Sequence, residues 1–207
     1  MNPYITVADK GTGEIVEKRS RFIANVFPIK TEAEAIDIIN SLKKEYWDAR
    51  HNVYAYTLRE GNICRYSDDG EPSGTAGVPT LDVLKKRNIV DCLVVVTRYF
   101  GGVLLGTGGL VRAYTAAANE GLEKARVITM QPCLLGETKC TYGDYDSFLR
   151  LAQSHNIDIR NSEFQEDITL SFAIEFEETD KFRENLKNQF CGRMTFEIKG
   201  ECYIKKE

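Results

Sequence analysis

The stretch from Asp91 to Tyr114, DCLVVVTRYFGGVLLGTGGLVRAY, constrains this chain more than any other, because an apolar run, a loop crowded with glycine and an amphipathic segment follow one another. The run Ile89–Val96 has almost no polar face and predicts a central strand covered on both sides. Beyond the loop, Leu110, Val111, Tyr114, Ala117, Ala118, Gly121 and Leu122 form one stripe of a helix ending near Ala125. Gly101, Gly102, Gly106, Gly108 and Gly109 lie between, five of the sixteen glycines in the chain, so the backbone must turn left-handed or another group must approach it closely. Such a strand, loop and helix can offer backbone N–H groups to a phosphate, and equally can be a tight loop packing helix on strand. Known nucleotide fingerprints do not fit the spacing. A P-loop needs lysine where Leu110 stands, and G-x-G-x-x-G from Gly106 meets Val111 instead of its third glycine.

Upstream, Tyr4–Val7 and Ile15–Val26 alternate around Gly11-Thr12-Gly13 and read as a hairpin with a glycine turn, its second strand carrying Lys18, Arg19 and Arg21. Thr31 and Glu34 have capping-box spacing, and Ala35, Ile38, Ile39, Leu42 and Tyr46 recur at helical intervals. His51–Leu58 and Ile63–Tyr66 read as strands about a turn at Glu60-Gly61-Asn62. The polar segment from Ser67 to Gly77 is a loop feeding a helix established by Pro79, with Leu81 and Leu84 inward.

Val127–Met130 reads as a short extended piece, Pro132 marks a domain boundary, and from Cys133 the pattern restarts. Strand Leu134–Tyr142, a helix capped by Asp144, strands Ile157–Phe164 and Ile168–Phe176, a helix with Phe182, Leu186 and Phe190 on one face, and strand Met194–Ile204 give βαββαβ, the ferredoxin-like order. The expectation is an α+β chain of two domains, residues 1–132 and 133–207. Residues 1–132 carry 17 Lys and Arg against 16 Asp and Glu, whereas residues 133–207 carry 10 against 15. An acidic second half argues against a nucleic-acid footprint over the whole molecule and directs any such contact to the first domain. The six cysteines include no C-x-x-C pair, so neither disulfides nor a zinc site are indicated. Without an apolar run of bilayer length or a signal-like N-terminus, the expected location is cytoplasmic, with no membrane partner.

Arg98, Tyr99 and Phe100 at the strand's exit suggest recognition, since arginine grips phosphate through two N–H groups and an aromatic ring stacks on a base. Strand alternation sends at least one of the three inward, and the alternative has Arg98 paired with an acidic neighbour. Lys18, Arg19, Arg21, Arg65 and Arg112 extend this into a basic patch only if the fold gathers them. Ser67, Asp68, Asp69 and Glu71 with His51 raise a metal or acid–base site, although successive acidic loop residues more commonly cap a helix. Cys64 with His51 as nucleophile and base lacks an orienting third group. No cofactor, metal or catalytic residue is expected.

Four ordered blocks, KRSRF from Lys18, HNVYAY from His51, SDDGEPSGTAGVPTLDVL from Ser67 and VVVTRYFGGVLLGTGGLVRAY from Val94, resemble the YigZ/IMPACT family. That resemblance implies a β/α domain like the fourth domain of elongation factor G, a ribosomal-protein-like two-layer fold, followed by a ferredoxin-like domain like that factor's fifth. It further implies a translation-associated protein contacting RNA, the ribosome or a translation-related protein. The rival expectations are an enzyme acting on a phosphorylated or nucleotide small molecule, and a module that binds protein alone.

Overall fold

The computed structural model describes residues 1–206 and divides into two compact units, Tyr4–Thr129 and the segment from Met130 onward with Met1–Pro3. In the first unit the strands β2 (Gly11–Glu17), β3 (Ser20–Pro28), β4 (His51–Leu58), β5 (Ile63–Ser67) and β6 (Cys92–Tyr99) form one sheet in the order β2-β3-β6-β4-β5. The apolar run is central, as its sequence requires: β6 lies antiparallel between β3 and β4, and its residues from Cys92 to Thr97 are 0% exposed. Its alternation feeds two cores. Val94 and Val96 pack with helices α2 (Gly77–Lys86) and α3 (Gly106–Ala125), whereas Leu93 and Val95 pack with Ala35, Ile39 and Leu42 of helix α1 (Glu32–Glu45). Helices therefore cover both faces, and the unit has three layers where two were expected. Thr31 caps α1 through a hydrogen bond from the Glu34 amide at 3.2 Å, as the capping-box spacing requires.

The predicted N-terminal hairpin is corrected in two ways. Strand β1 (Tyr4–Val7) does not fold back on β2; it pairs with strand β7 (Val127–Cys140), whose first three residues belong to the same unit. Gly11 and Gly13 lie inside β2, where a Cβ would collide with the backbone of α3 at Ala125 and Glu120. These glycines allow a helix to approach a strand and do not make a turn. The turn falls at Lys18 and Arg19, both left-handed with φ of 45° and 67°, between the paired residues Glu17 and Ser20. The extended piece before Pro132 and the strand after it are one element, since β7 runs unbroken for 14 residues.

The second unit has the expected chain order: β7, α4 (Tyr142–Ser154), β8 (Asp158–Phe164), β9 (Ile168–Ile174), α5 (Thr179–Gln189) and β10 (Phe196–Lys206). Thr141, not Asp144, holds the N-cap position of α4, and Asp144 sits in the first turn. The sheet runs β7-β9-β8, with β10 also on β7. Phe148 of α4 and Phe182 and Leu186 of α5 meet Ile168, Leu170, Phe172 and Phe196 in its core. No helix among the described residues is long and apolar enough to cross a membrane.

Candidate functional site

Strand pairing gathers the four sequence blocks at one end of the first sheet. Arg98 on β6 lies opposite His51 on β4 and opposite Phe22 on β3, and Tyr99 lies opposite Arg21. Beside them pass the Lys18-Arg19 turn, the Ser67–Gly77 loop and the glycine loop before α3. A Cβ on Gly101 would run into the Arg19 backbone, so that glycine fastens the loop to the turn. Gly102 and Gly106 hold φ of 82° and 70° and give the loop its course. Gly108 and Gly109 enter α3, whose N-cap residue Leu105 supplies no side-chain cap.

Arg98 does not face solvent, which corrects the expectation that it recognises a ligand at the surface. Its side chain is 7% exposed and donates from Nη1 to Glu71 Oε1 at 2.6 Å, while the guanidinium packs near the Phe22 and Phe100 rings. Tyr114 donates its hydroxyl to the same Glu71 oxygen at 2.8 Å, and His51 Nε2 stands 4.0 Å from it. His51 Nδ1 lies 2.9 Å from the Asp69 carbonyl, so it donates there as Nδ1–H. The acidic loop is built into the fold in the same manner. Asp68 accepts from the amides of Gly74, Ala76 and Gly77 and so caps α2, while Asp69 donates its amide to the Ser67 hydroxyl oxygen and its carboxylate accepts from the Asn52 amide and from Lys43. Ser67, Asp68, Asp69, Glu71 and His51 thus form a clasp that seats the loop.

Burial, and then the neighbouring Glu71 carboxylate, push the Tyr114 hydroxyl far above its ordinary range, and burial with the bond to Glu32 pushes Tyr56 up to about 12. Both pKa values are raised in the folded state, so this stabilisation is complete below the unfolded value of about 10 and is lost as pH rises through the folded values. Urea unfolding monitored by tyrosinate absorbance should therefore show midpoints falling from about pH 10 upward, with two tyrosines ionising only as the chain unfolds.

The remaining candidates separate by position. Tyr99 is half-buried and donates to Asp48 at 2.8 Å, and burial followed by that bond raises its pKa. Phe100 is 47% exposed, and Lys18, Arg19 and Arg112 are exposed. Arg21 is held by Glu14 in a two-pronged pair at 2.7 and 2.8 Å. Arg65 does not join the patch: it sits on the edge strand β5 opposite Tyr56 and pairs with Glu32. Cys64 lies opposite Thr57, six residues along β4 from His51 and about 20 Å away, so the nucleophile–base pair is ruled out. Two further exposed residues near this end, Trp47 and Arg50, carry no sequence motif that marks them. Trp47, the single tryptophan, directly follows the apolar stripe of α1 as though it continued it, yet it is 82% exposed.

Residues 18–122 match the family model of the Impact N-terminal domain, and residues 138–193 match a domain of unknown function, DUF1949. The chain is 38% identical to the IMPACT family member YvyE of Bacillus subtilis, over 100% of this chain and 95% of that one. It is 33% identical to the IMPACT family member YigZ of Escherichia coli, over 82% and 84% of the two chains. Protein IMPACT of Oryctolagus cuniculus is 31% identical over 53% of this chain and 36% of its own length, so the likeness there covers about a third of the longer protein. A solved structure described as a hypothetical protein aligns over 100% of both chains with a TM-score of 0.60 and 30% identity.

Proposed function

Because this chain belongs to the IMPACT family, we propose that it is a translation-associated regulator whose first unit contacts RNA, the ribosome or a translation factor. The observation that carries this reading is the convergence of the four family-like blocks on one end of the first sheet, beside a surface of unpaired cations and exposed aromatic rings. The second unit supports it. Its chain order βαββαβ and strand order β10-β7-β9-β8 support reading it as a ferredoxin-like domain, the type that the family resemblance likens to the fifth domain of elongation factor G.

The reaction-centred alternative finds no comparable support, since the carboxylates it needs are occupied: Asp68 by three backbone amides, Asp69 by Asn52 and Lys43, Glu71 by Arg98 and Tyr114. Sedimentation through a sucrose cushion with purified ribosomes tests the proposal. The protein should pellet with ribosomes at low salt and be released as salt rises. A protein that stays in the supernatant at every salt concentration, and that captures no translation factor after nuclease treatment, would refute the reading.

A further inference from the structure

Eight of the nine arginines between Tyr4 and Thr129 bear on the argument by whether a carboxylate holds them. Arg21, Arg59, Arg87, Arg98 and Arg126 are paired with Glu14, Asp91, Glu123, Glu71 and Asp9. Arg19, Arg50 and Arg112 are exposed and have no ion pair among the described residues, and all three lie at the same end of the sheet. Arg19 is in the β2–β3 turn, Arg50 directly precedes His51 of β4, and Arg112 projects from the beginning of α3. Lys18, also unpaired, shares with Arg112 a groove of about 240 Å³ floored by Ile15, Leu105 and Gly109. Of the carboxylates at this end, Asp68, Asp69 and Glu71 are held by the fold and Asp48 accepts from Tyr99, while Glu17 lines the groove.

At the same end Phe100, 47% accessible, directly follows Tyr99, and Trp47, 82% accessible, directly precedes Asp48, which accepts from the Tyr99 hydroxyl. A tryptophan left this open makes no contribution to the core and exposes a flat apolar face to water, which is costly unless something covers it. Arginines with no carboxylate partner, at the same end as exposed flat rings, present both things that a single nucleic-acid strand needs: N–H forks for phosphates and faces on which bases stack. We propose that this end of the first unit, with Trp47 as stacking platform and Arg19, Arg50 and Arg112 as phosphate contacts, binds a single-stranded nucleic-acid segment. The assignment rests on the translation-associated reading above and narrows it to a surface and a ligand class. The aliphatic Val103 and Leu104 on the adjoining loop, 41% and 84% exposed, make an acidic protein segment the competing occupant.

Trp47 is the chain's one tryptophan, so its emission reports the site directly. Titration with a single-stranded oligouridylate at low salt should quench that emission, and an oligodeoxythymidylate in parallel shows whether the sugar matters. Trp47→Ala, followed by anisotropy of a labelled oligonucleotide, should bind about tenfold more weakly. The triple variant Arg19→Ala/Arg50→Ala/Arg112→Ala should lose binding and flatten the dependence of log K on log salt by about 2. Lys85→Ala/Lys86→Ala, which removes two unpaired cations from the other end of α2, should bind like the parent chain. Equal losses in the lysine and arginine variants would mean unspecific charge attraction and overturn the proposal. Ribosome pelleting that persists in the triple variant, without oligonucleotide binding, would overturn it while leaving the translation-associated reading standing. A nuclease-resistant acidic partner lost on Trp47→Ala would assign the surface to protein instead.

Discussion

Arg98→Ala is expected to cost about 3–5 kcal/mol of unfolding free energy, an effect on stability and not on ligand contact. Removing the guanidinium leaves Glu71, with a side chain 3% exposed, as a buried carboxylate whose one cationic partner at hydrogen-bond distance is gone. His51 at 4.0 Å and the Tyr114 hydroxyl at 2.8 Å do not replace a charge-assisted bond of 2.6 Å. The companion variant Arg98→Met/Glu71→Leu removes both charges and should recover a large part of the loss, because a hydrophobic pair escapes the desolvation penalty. Urea denaturation of the parent, Arg98→Met, Glu71→Leu and the double variant supplies the cycle, with Arg98→Ala measured alongside. A loss below about 1 kcal/mol for Arg98→Ala would mean that the residue behaves as a surface arginine, against the burial described above.

In the second unit Phe182→Ala should be the most damaging single truncation, by about 3–5 kcal/mol. Phe182 is 0% exposed and meets Phe148, Phe172 and His155 edge-on at centroid distances of 6.1, 5.6 and 5.4 Å, with Phe196 tilted at 5.6 Å. Its loss opens a cavity between α5 and the sheet that four rings cannot collapse into without leaving their own contacts. Hydrogen exchange should locate the damage, with amides of α5 and β9 losing protection. Unchanged protection there would show that the core tolerates the void.

Much of this architecture is legible in the sequence wherever periodicity alone decides it. The strand His51–Leu58, the end of α3 at Ala125 and the Phe182, Leu186 and Phe190 face of the last helix follow from spacing. What the sequence conceals depends on partners far along the chain. Gly11-Thr12-Gly13 looks like a turn because glycine usually marks one, and only the approach of α3 at Glu120 and Ala125 shows that those glycines clear space inside a strand. Arg98 carries no local sign that it faces inward, since its partner Glu71 is 27 residues away in a loop that alternates nothing. The two-layer expectation comes from the family resemblance and not from the residues. The apolar faces of β6 predict cover on both sides, and α1 supplies the second cover.

The two-residue turn at Lys18 and Arg19 has a further meaning as a design choice. Both positions adopt a backbone conformation that asparagine and glycine reach with little strain and that long side chains reach at a cost. An Asn-Gly sequence there would make a more stable hairpin and a neutral one. The chain instead keeps two cations on a conformationally unfavourable bend, next to a loop locked against it at Gly101. Replacing Lys18-Arg19 by Asn-Gly would therefore relieve backbone strain and remove two positive charges in one step, so at this bend charge and local stability are traded against each other.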